Sequence, residues 1–525
     1  MIEGRARPCD EGVIASTRAE EPCAAQVKRF VLVSTIIGSG MAFIDSAVVG
    51  VALPVIGTGL QANLSAMQWV VNAYVLVSAA FTLVGGAAGD RFGRRRVFIA
   101  GIVIFTAASV ACSAASGATA LVVARVVQGI GGALMVPNSL AIIGATFDEH
   151  EKGKAIGTWA ATTSIAAALG PVLGGWLTDV VSWRAIFFIN VPFAVFAAVS
   201  AWRWVPESRD YLSQDDLDWV GAALAASGLA ALAFAFIESS ELGWRDPLVS
   251  LFAIGGLLVL ALFLRVEARG SAPMVPLTLF RSSSFSGINL LTFMLYGALS
   301  GGFFLLPFNL IRAQSYTAAQ AGAALLPIPL VMVSLSRWSG GLLDRFGARL
   351  PLTIGPLITA AGFVLFALNG LNGSYWIVVF PPMLLVGLGM TVTVAPLTAA
   401  VMSAVPAHQI GVASGVNNAV ADIASLLAVA AFGALGLGIF SYVLDNQLAT
   451  LGTDPELAQA VTVIKKTLAG SDMPTHLPVD LRTALQRSIS TSFAASFRFL
   501  MLGAAGLAAL SAVSTVLTVP SKGHA

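Results

Sequence analysis

The chain of 525 residues contains fourteen apolar runs, each long enough to cross a lipid bilayer as a helix. A spanning helix needs about 20 mostly apolar residues. The runs cover residues 30–57, 66–88, 97–115, 119–146, 155–177, 185–204, 217–237, 247–265, 286–310, 319–343, 350–369, 374–404, 409–440 and 495–518. Only 11% of the residues are charged, whereas soluble domains carry roughly 25%. The sequence therefore predicts an all-α polytopic membrane protein with fourteen transmembrane helices.

The distribution of basic residues predicts the side of the membrane on which each loop lies. An even number of spans places both termini on the same side. If that side is the cytoplasm, the short outer loops hold only three basic residues, Arg184, Arg245 and Arg312. Cytoplasmic loops of membrane proteins carry an excess of Lys and Arg. We therefore expect a multi-pass protein of the inner (plasma) membrane with both termini cytoplasmic.

The sequence also repeats itself. Residues 86–95 (GAAGDRFGRR) recur 254 residues later as residues 340–349 (GGLLDRFGAR). Repeated halves around a site at the membrane midplane are typical of secondary transporters. We therefore predict two pseudo-symmetric six-helix bundles with one helix pair inserted between them.

These boundaries predict a division of the chain into five parts. They are a cytoplasmic N-terminal tail (1–29), an N-terminal six-helix bundle (30–204), an inserted helix pair with a basic linker (205–285), a C-terminal six-helix bundle (286–518) and a cytoplasmic tail (519–525). The C-terminal bundle includes a long outer loop, residues 441–494. Within the loop, Leu457, Val461, Ile464 and Leu468 recur at helical spacing and predict an amphipathic helix, and residues 479–489 predict a second. The loop is either a solvated connection or a lid over an outward-facing cavity.

Several motifs in order along the chain resemble those of the major facilitator superfamily, specifically its fourteen-helix drug:proton antiporter branch. Residues 86–95 resemble the superfamily signature between helices 2 and 3. The motifs of the branch are matched by residues 44–54 (IDSAVVGVALP), 125–131 (RVVQGIG), 169–175 (LGPVLGG), 183–192 (WRAIFFINVP) and 218–221 (DWVG). The resemblance covers about residues 29–440 and the last helix, and it implies proton-coupled export.

Two charged residues lie inside predicted helices of the first half. Asp45 is near the middle of helix 1, and Arg125 is the only charged residue between Arg96 and Phe147. A charge at that depth is costly and marks a transport pathway by default. Asp45 is thus a candidate proton- or cation-binding group. The guanidinium of Arg125 stays protonated and can only influence a nearby acid. The alternative for each residue is a structural hydrogen bond.

Asp422 in helix 13 is the clearest intramembrane acid of the second half. It follows Asn417 and Asn418 in the sequence. It either contacts a cationic substrate or forms a hydrogen bond with those amides, and the sequence favours neither.

Helix 5 contains a second candidate element, Gly170, Pro171, Gly174 and Gly175. Proline interrupts the helical hydrogen bonds, and small residues at a spacing of four allow another helix to approach closely. The resemblance implies that this gating and antiporter motif seals the two halves together. The alternative is a kink that serves packing alone.

The short loop after helix 2 is crowded with charge. It holds Gly86, Asp90, Arg91, Gly93, Arg94 and Arg95, and the second half carries a weaker copy with Asp344 and Arg345. We interpret these residues as a cytoplasmic loop latch, a tight turn whose acid bonds across the halves in the outward-facing state. The alternative is that the basic residues only fix the topology.

Other functional classes lack their motifs in this sequence. There is no glycine-rich phosphate loop, and the membrane segments hold no paired histidines or nucleophile elbow. We therefore expect no enzyme activity, cofactor or metal. The net charge of +2 gives no field that would attract nucleic acid.

The sequence-based hypothesis is a proton-coupled antiporter that exports small amphipathic or cationic organic compounds. Its partners would be the substrate, protons and the bilayer, and the resemblance permits a periplasmic adaptor and an outer-membrane channel. Aromatic and methionine residues, including Tyr74 and Tyr296, either line a cavity or pack in the core. The alternatives are an exporter specific for one metabolite, antibiotic or siderophore, and a non-transporting receptor or scaffold.

Overall fold

The computed structural model describes residues 25–209, 218–270, 273, 275–369, 373–406, 409–448, 461, 464 and 479–520. This part of the chain is almost entirely helical. In chain order its α-helices are α1 (Ala25–Gly59), α2 (Leu64–Phe92), α3 (Arg94–Ser113), α4 (Ala118–Thr146), α5 (Glu149–Val180), α6 (Ala185–Phe188), α7 (Asn190–Trp204), α8 (Trp219–Leu242), α9 (Pro247–Glu267), α10 (Ser283–Phe308), α11 (Ala318–Ala324), α12 (Pro327–Gly340), α13 (Leu342–Phe346), α14 (Arg349–Asn369), α15 (Tyr375–Val378), α16 (Phe380–Ser403), α17 (Ile410–Leu448) and α18 (Val479–Thr518).

Fourteen helical spans within the described ranges are long and apolar enough to cross a membrane. Some spans combine two helices, as α6 and α7 do in Ala185–Trp204 and α15 and α16 do in Tyr375–Ser403. The predicted fold class, an all-α polytopic membrane protein with fourteen transmembrane helices, is confirmed.

The helices next to the outer loop are longer than hydropathy predicted. α17 continues to Leu448, and α18 already begins at Val479, so both enter the segment predicted as loop 441–494. Residues 479–489 are helical, as predicted, but they form the start of α18 and are continuous with the last span. An apolar run shows where a helix lies in lipid, but the helix can continue into water beyond it. Val461 and Ile464 are helical and buried, whereas the rest of the predicted amphipathic stripe lies outside the described residues.

The chain forms two compact units. Unit 1 comprises Met1–Gly50, Ala73–Ser227 and Val259–Met274. Unit 2 comprises Val51–Asn72, Gly228–Leu258 and Val275–Ala525. The helices α1, α2, α8 and α9 are each divided between the units. The sequence-based division into bundles 30–204 and 286–518 remains a prediction.

In unit 1, α3 and α4 pack directly against each other. A Cβ added to Gly101 of α3 would lie 2.9 Å from the backbone nitrogen of Met135 on α4. Phe98, Phe105 and Met135 are fully buried beside this contact. The close approach of the backbones brings the polar side chains of α3 and α4 within hydrogen-bonding distance of each other.

In unit 2, α10 packs against α17 and α18. The start of α2 also belongs to this unit, and Nε2 of Gln68 donates to the backbone oxygens of Val429 and Ala430 at 2.8 and 3.0 Å. Gly433 lies beside the Gln68 amide, and a Cβ there would collide with it. A glycine on α17 therefore makes room for a side chain from α2.

Candidate functional site

Asp45 of α1 and Arg125 of α4 form a buried ion pair in unit 1. Nη1 of Arg125 donates to Oδ2 of Asp45, and both side chains are 1% exposed. Removing two charges from water raises the free energy by more than their mutual attraction lowers it, unless further hydrogen bonds satisfy both groups. The structure thus brings together the two charged residues that the sequence singled out in the first half.

The second oxygen of Asp45 is held by two amides. Oδ1 accepts from Nε2 of Gln128 at 2.8 Å and from Nδ2 of Asn190 at 3.1 Å. Both amide groups also donate to Oγ of Ser109, at 2.9 and 3.3 Å. Residues from α1, α3, α4 and α7 therefore meet at one carboxylate. Each of its oxygens is hydrogen-bonded.

Arg125 has partners besides Asp45. Its Nη1 donates to Oε1 of Gln128 at 2.7 Å, and its Cζ lies 4.3 Å from the ring centroid of Tyr74 on α2. The thiol of Cys112 on α3 lies 3.8 Å from the same Gln128 oxygen. Gln128 is consequently bonded to both members of the ion pair.

Sequence reasoning gave no role to several of these residues. Gln128 and Asn190 stand inside recognised motifs, and Tyr74 was only a candidate for a cavity wall. Gln128 follows Arg125 by three positions, which places both on one helix face and was a usable signal. Ser109 offered no signal, because a serine inside a membrane helix commonly bonds to its own backbone, as its hydroxyl does here to Phe105 at 2.9 Å.

Asp422 lies on α17 in unit 2, and its side chain is exposed. It is near enough to the phenol of Tyr296 on α10 to interact with it electrostatically. Nδ2 of Asn417 donates to α10, to Oδ1 of Asn289 at 3.1 Å and Oγ1 of Thr292 at 2.8 Å. Among the described residues, Asp422 pairs with no basic side chain.

The candidate antiporter motif lies on α5, which continues as a helix through Pro171. A Cβ on Gly170 would lie 2.7 Å from Cβ of Ala47, and one on Gly174 would lie 2.6 Å from Cγ1 of Val48. These glycines let α5 approach α1 next to Asp45, within unit 1. Gly175 is also buried. Whether the motif seals the two halves stays a prediction.

The loop after α2 forms a tight turn around Gly93. Its φ of +107° favours glycine, and Gly347, the corresponding residue of the repeat, has a φ of +72°. Nη2 of Arg94 pairs with Oδ1 of Asp90 at 2.7 Å. Asp90 at the end of α2 therefore has a basic partner at the start of α3. The bond across the halves stays a prediction.

The rest of the cytoplasmic loop latch contacts the segment after α7. Oε1 of Glu207 accepts from the backbone nitrogen of Arg95 at 3.1 Å, and its carboxylate pairs with the guanidinium groups of Arg95 and Arg96. Sequence reasoning missed Glu207, which lies outside every motif. Gly86 packs against Pro137, Arg91 lies over the Phe92 ring, Arg345 is exposed, and the Asp344 side chain lies outside the described part.

The chain also matches a known protein family. The sequence profile described as Major Facilitator Superfamily matches residues 35–429. The chain belongs to the major facilitator superfamily. The resemblance that the motifs indicated is thereby confirmed, and the protein is a multi-pass member of a transporter family.

Curated members of the superfamily include relatives with moderate sequence identity. The tetracenomycin C resistance and export protein of Streptomyces glaucescens is 32% identical over 77% of this chain and 75% of its own length. The methylenomycin A resistance protein of Bacillus subtilis is 33% identical over 77% and 87%. The multidrug resistance protein Stp of Mycobacterium tuberculosis is 33% identical over 81% and 79%.

Solved structures of major facilitator transporters share the fold. A bacterial homologue of the human lysosomal transporter Spinster, inward-facing and unoccupied, has a TM-score of 0.65 at 15% identity and covers 95% of this chain and all of its own. The POT family transporter PepTSo has a TM-score of 0.60 at 15% identity and covers 95% of this chain and 98% of its own. At these identities the likeness concerns the fold alone.

Proposed function

We propose that this superfamily member is a proton-coupled antiporter that exports small amphipathic or cationic organic compounds by alternating access. The observation that carries the proposal is the buried pair of Asp45 and Arg125. A carboxylate inside a spanning helix is a functional group by default, and a single proton removes its charge. The names of the relatives, which include a multidrug resistance protein, support export as the direction.

The exchange would take place in two linked steps. A proton from outside binds Oδ2 of Asp45 and breaks its bond to Arg125, which weakens the contact between α1 and α4. Release of the proton inside restores the pair. Asp422 is exposed and has Tyr296 nearby, so it would meet the positive charge of a substrate. A carboxylate beside an aromatic ring suits lipophilic cations.

The surrounding elements would serve this cycle. The antiporter motif on α5 would control the opening between the halves, and the cytoplasmic loop latch would stabilise the outward-facing state. The protein would lie in the inner (plasma) membrane with both termini cytoplasmic. In a double-membrane cell, a periplasmic adaptor and an outer-membrane channel would extend the route.

A second candidate function is export of one specific compound. It is favoured by relatives that are named for single antibiotics, tetracenomycin C and methylenomycin A. A cavity selective for one metabolite, antibiotic or siderophore would use the same coupling group, so the two functions differ in the range of substrates. A non-transporting receptor or scaffold would need neither charge of the buried pair.

The test is substrate-induced proton release in inside-out vesicles energised by respiration, with a panel of lipophilic cations and neutral amphiphiles. Wild type is expected to release protons with several compounds, and Asp45→Asn with none, because its side chain cannot ionise. Release by one compound alone would support the specific exporter. Undiminished release by Asp45→Asn would remove Asp45 as the coupling group, and silence of wild type, with the protein present, would remove the multidrug function.

A further inference from the structure

The Arg125 guanidinium is bonded to more than its carboxylate partner. Asp45 meets it from α1, Oε1 of Gln128 at 2.7 Å from its own helix, and the ring of Tyr74 at 4.3 Å from α2. Asp45, Arg125 and Gln128 are almost completely buried, and Tyr74 is 6% exposed. The guanidinium thus has two uncharged partners, an amide oxygen and an aromatic ring, in addition to Asp45.

Protonation of Asp45 creates a physical problem at this place. The acid becomes neutral, while the guanidinium keeps its charge because arginine does not deprotonate in proteins. A buried charge that loses its partner is strongly unfavourable. Without other partners, Arg125 would oppose the arrival of the proton.

The structure already places such partners against the cation. An amide oxygen accepts a hydrogen bond from the guanidinium, and an aromatic face attracts a cation more strongly when both are removed from water. Neither contact uses Oδ2 of Asp45, the oxygen that a proton would occupy. Oδ1 can keep the bonds from Gln128 and Asn190, because the carbonyl oxygen of a neutral acid still accepts.

We propose that the ring of Tyr74 and the amide oxygen of Gln128 form a reserve site that holds the Arg125 cation while Asp45 is protonated. This rests on the proposed function, in which Asp45 carries the proton. Both are positioning residues, since neither exchanges the proton itself. The reserve site lets the proton bind without a movement of Arg125 into lipid or water.

Titratable groups from neighbouring helices also face the pair. The Cys112 thiol of α3 interacts electrostatically with both Asp45 and Arg125, and the Tyr74 phenol comes from α2. From α7 the neighbour is the amide of Asn190, and from α5 it is the glycine stripe at Gly170.

The test is an infrared pH titration of the purified protein in lipid, which follows the carboxylic acid band that Asp45→Asn removes. In Tyr74→Leu, the midpoint of the Asp45 titration is expected about one pH unit lower than in wild type, because the charged Arg125 loses its aromatic partner. Tyr74→Phe keeps the ring and is expected to titrate like wild type. Tyr74→Met, which also lacks a ring but fills similar space, should shift like Tyr74→Leu and replaces it if that variant does not fold.

Each outcome has a separate meaning. Unshifted midpoints in Tyr74→Leu or Tyr74→Met overturn the reserve site, and so does an equal shift in Tyr74→Phe, which would assign the effect to the hydroxyl. If Asp45→Asn removes no band between acidic and neutral pH, the proton role of Asp45 fails instead. The titration needs no transport, so a wrong substrate panel does not affect it.

Discussion

Asp45 and Asp422 are both acids of spanning helices, but they lie in opposite surroundings. Asp45 is closed off, with an arginine and two amides on its oxygens. Asp422 is exposed, and no basic partner lies on it within the described chain. A closed carboxylate can exchange a proton but has no room for an organic molecule. An open one can meet a bulky cation, which supports a division of tasks between the two.

This division predicts a selective effect of Asp422→Asn. Binding of a lipophilic monocation is expected to weaken about tenfold or more, because one charge contact of roughly 1.4 kcal/mol is lost. Binding of a neutral amphiphile should stay unchanged. Equilibrium binding to the purified protein measures both, and Asn418→Ala, an exposed neighbour on the same helix, is the matched control. Equal losses of affinity for the cation and the neutral compound would mean that Asp422 affects the shape of the binding site and not its charge.

A short stretch of α1 makes contacts with two other helices. Asp45 reaches α4, while Ala47 and Val48 pack against the glycines of α5. The predicted kink motif is thus also a close helix contact beside the buried charge. Any change in the ion pair therefore occurs next to the part of α1 that contacts α5.

Gly174→Ala is expected to destabilise the protein by about 1–3 kcal/mol, since the new methyl group would overlap Val48 and force α5 away from α1. The thermal unfolding temperature of the purified protein and the transport rate should both fall. Gly157→Ala on the same helix is the matched control, because nothing lies within 4 Å of a Cβ there. It should be neutral or slightly stabilising, since alanine favours helix. Similar losses in both variants would refute the close contact.

For the whole molecule, the orientation in the membrane can be tested with native cysteines. Cys9 and Cys23 lie in the N-terminal segment, whereas Cys112 is buried. If the N-terminus is cytoplasmic, a membrane-impermeant maleimide should label wild type in inside-out vesicles and leave intact cells unlabelled. Arg245→Cys in a predicted outer loop should show the reverse in a chain without Cys9 and Cys23. Labelling of wild type in intact cells would invert the topology.

The number of membrane helices, the family and the location of the unusual charges followed from the amino-acid sequence alone. Hydropathy over about 20 residues is a local property, and a carboxylate among apolar residues stands out without knowledge of any contact. The positive φ of both Gly93 and Gly347 agrees with the repeat that the sequence revealed. These features needed no information on how the helices pack.

The contacts between distant residues were visible only in the folded structure. It placed Gln128, Asn190 and Tyr74 on the buried pair, brought Glu207 to the loop after α2, and turned Gly174 toward α1. It also carried α17 and α18 beyond their apolar runs. Asp45 and Asn190 are separated by 145 positions along the chain. Contacts at such separations depend on the rotation and depth of each helix, which are set by packing against all its neighbours at once.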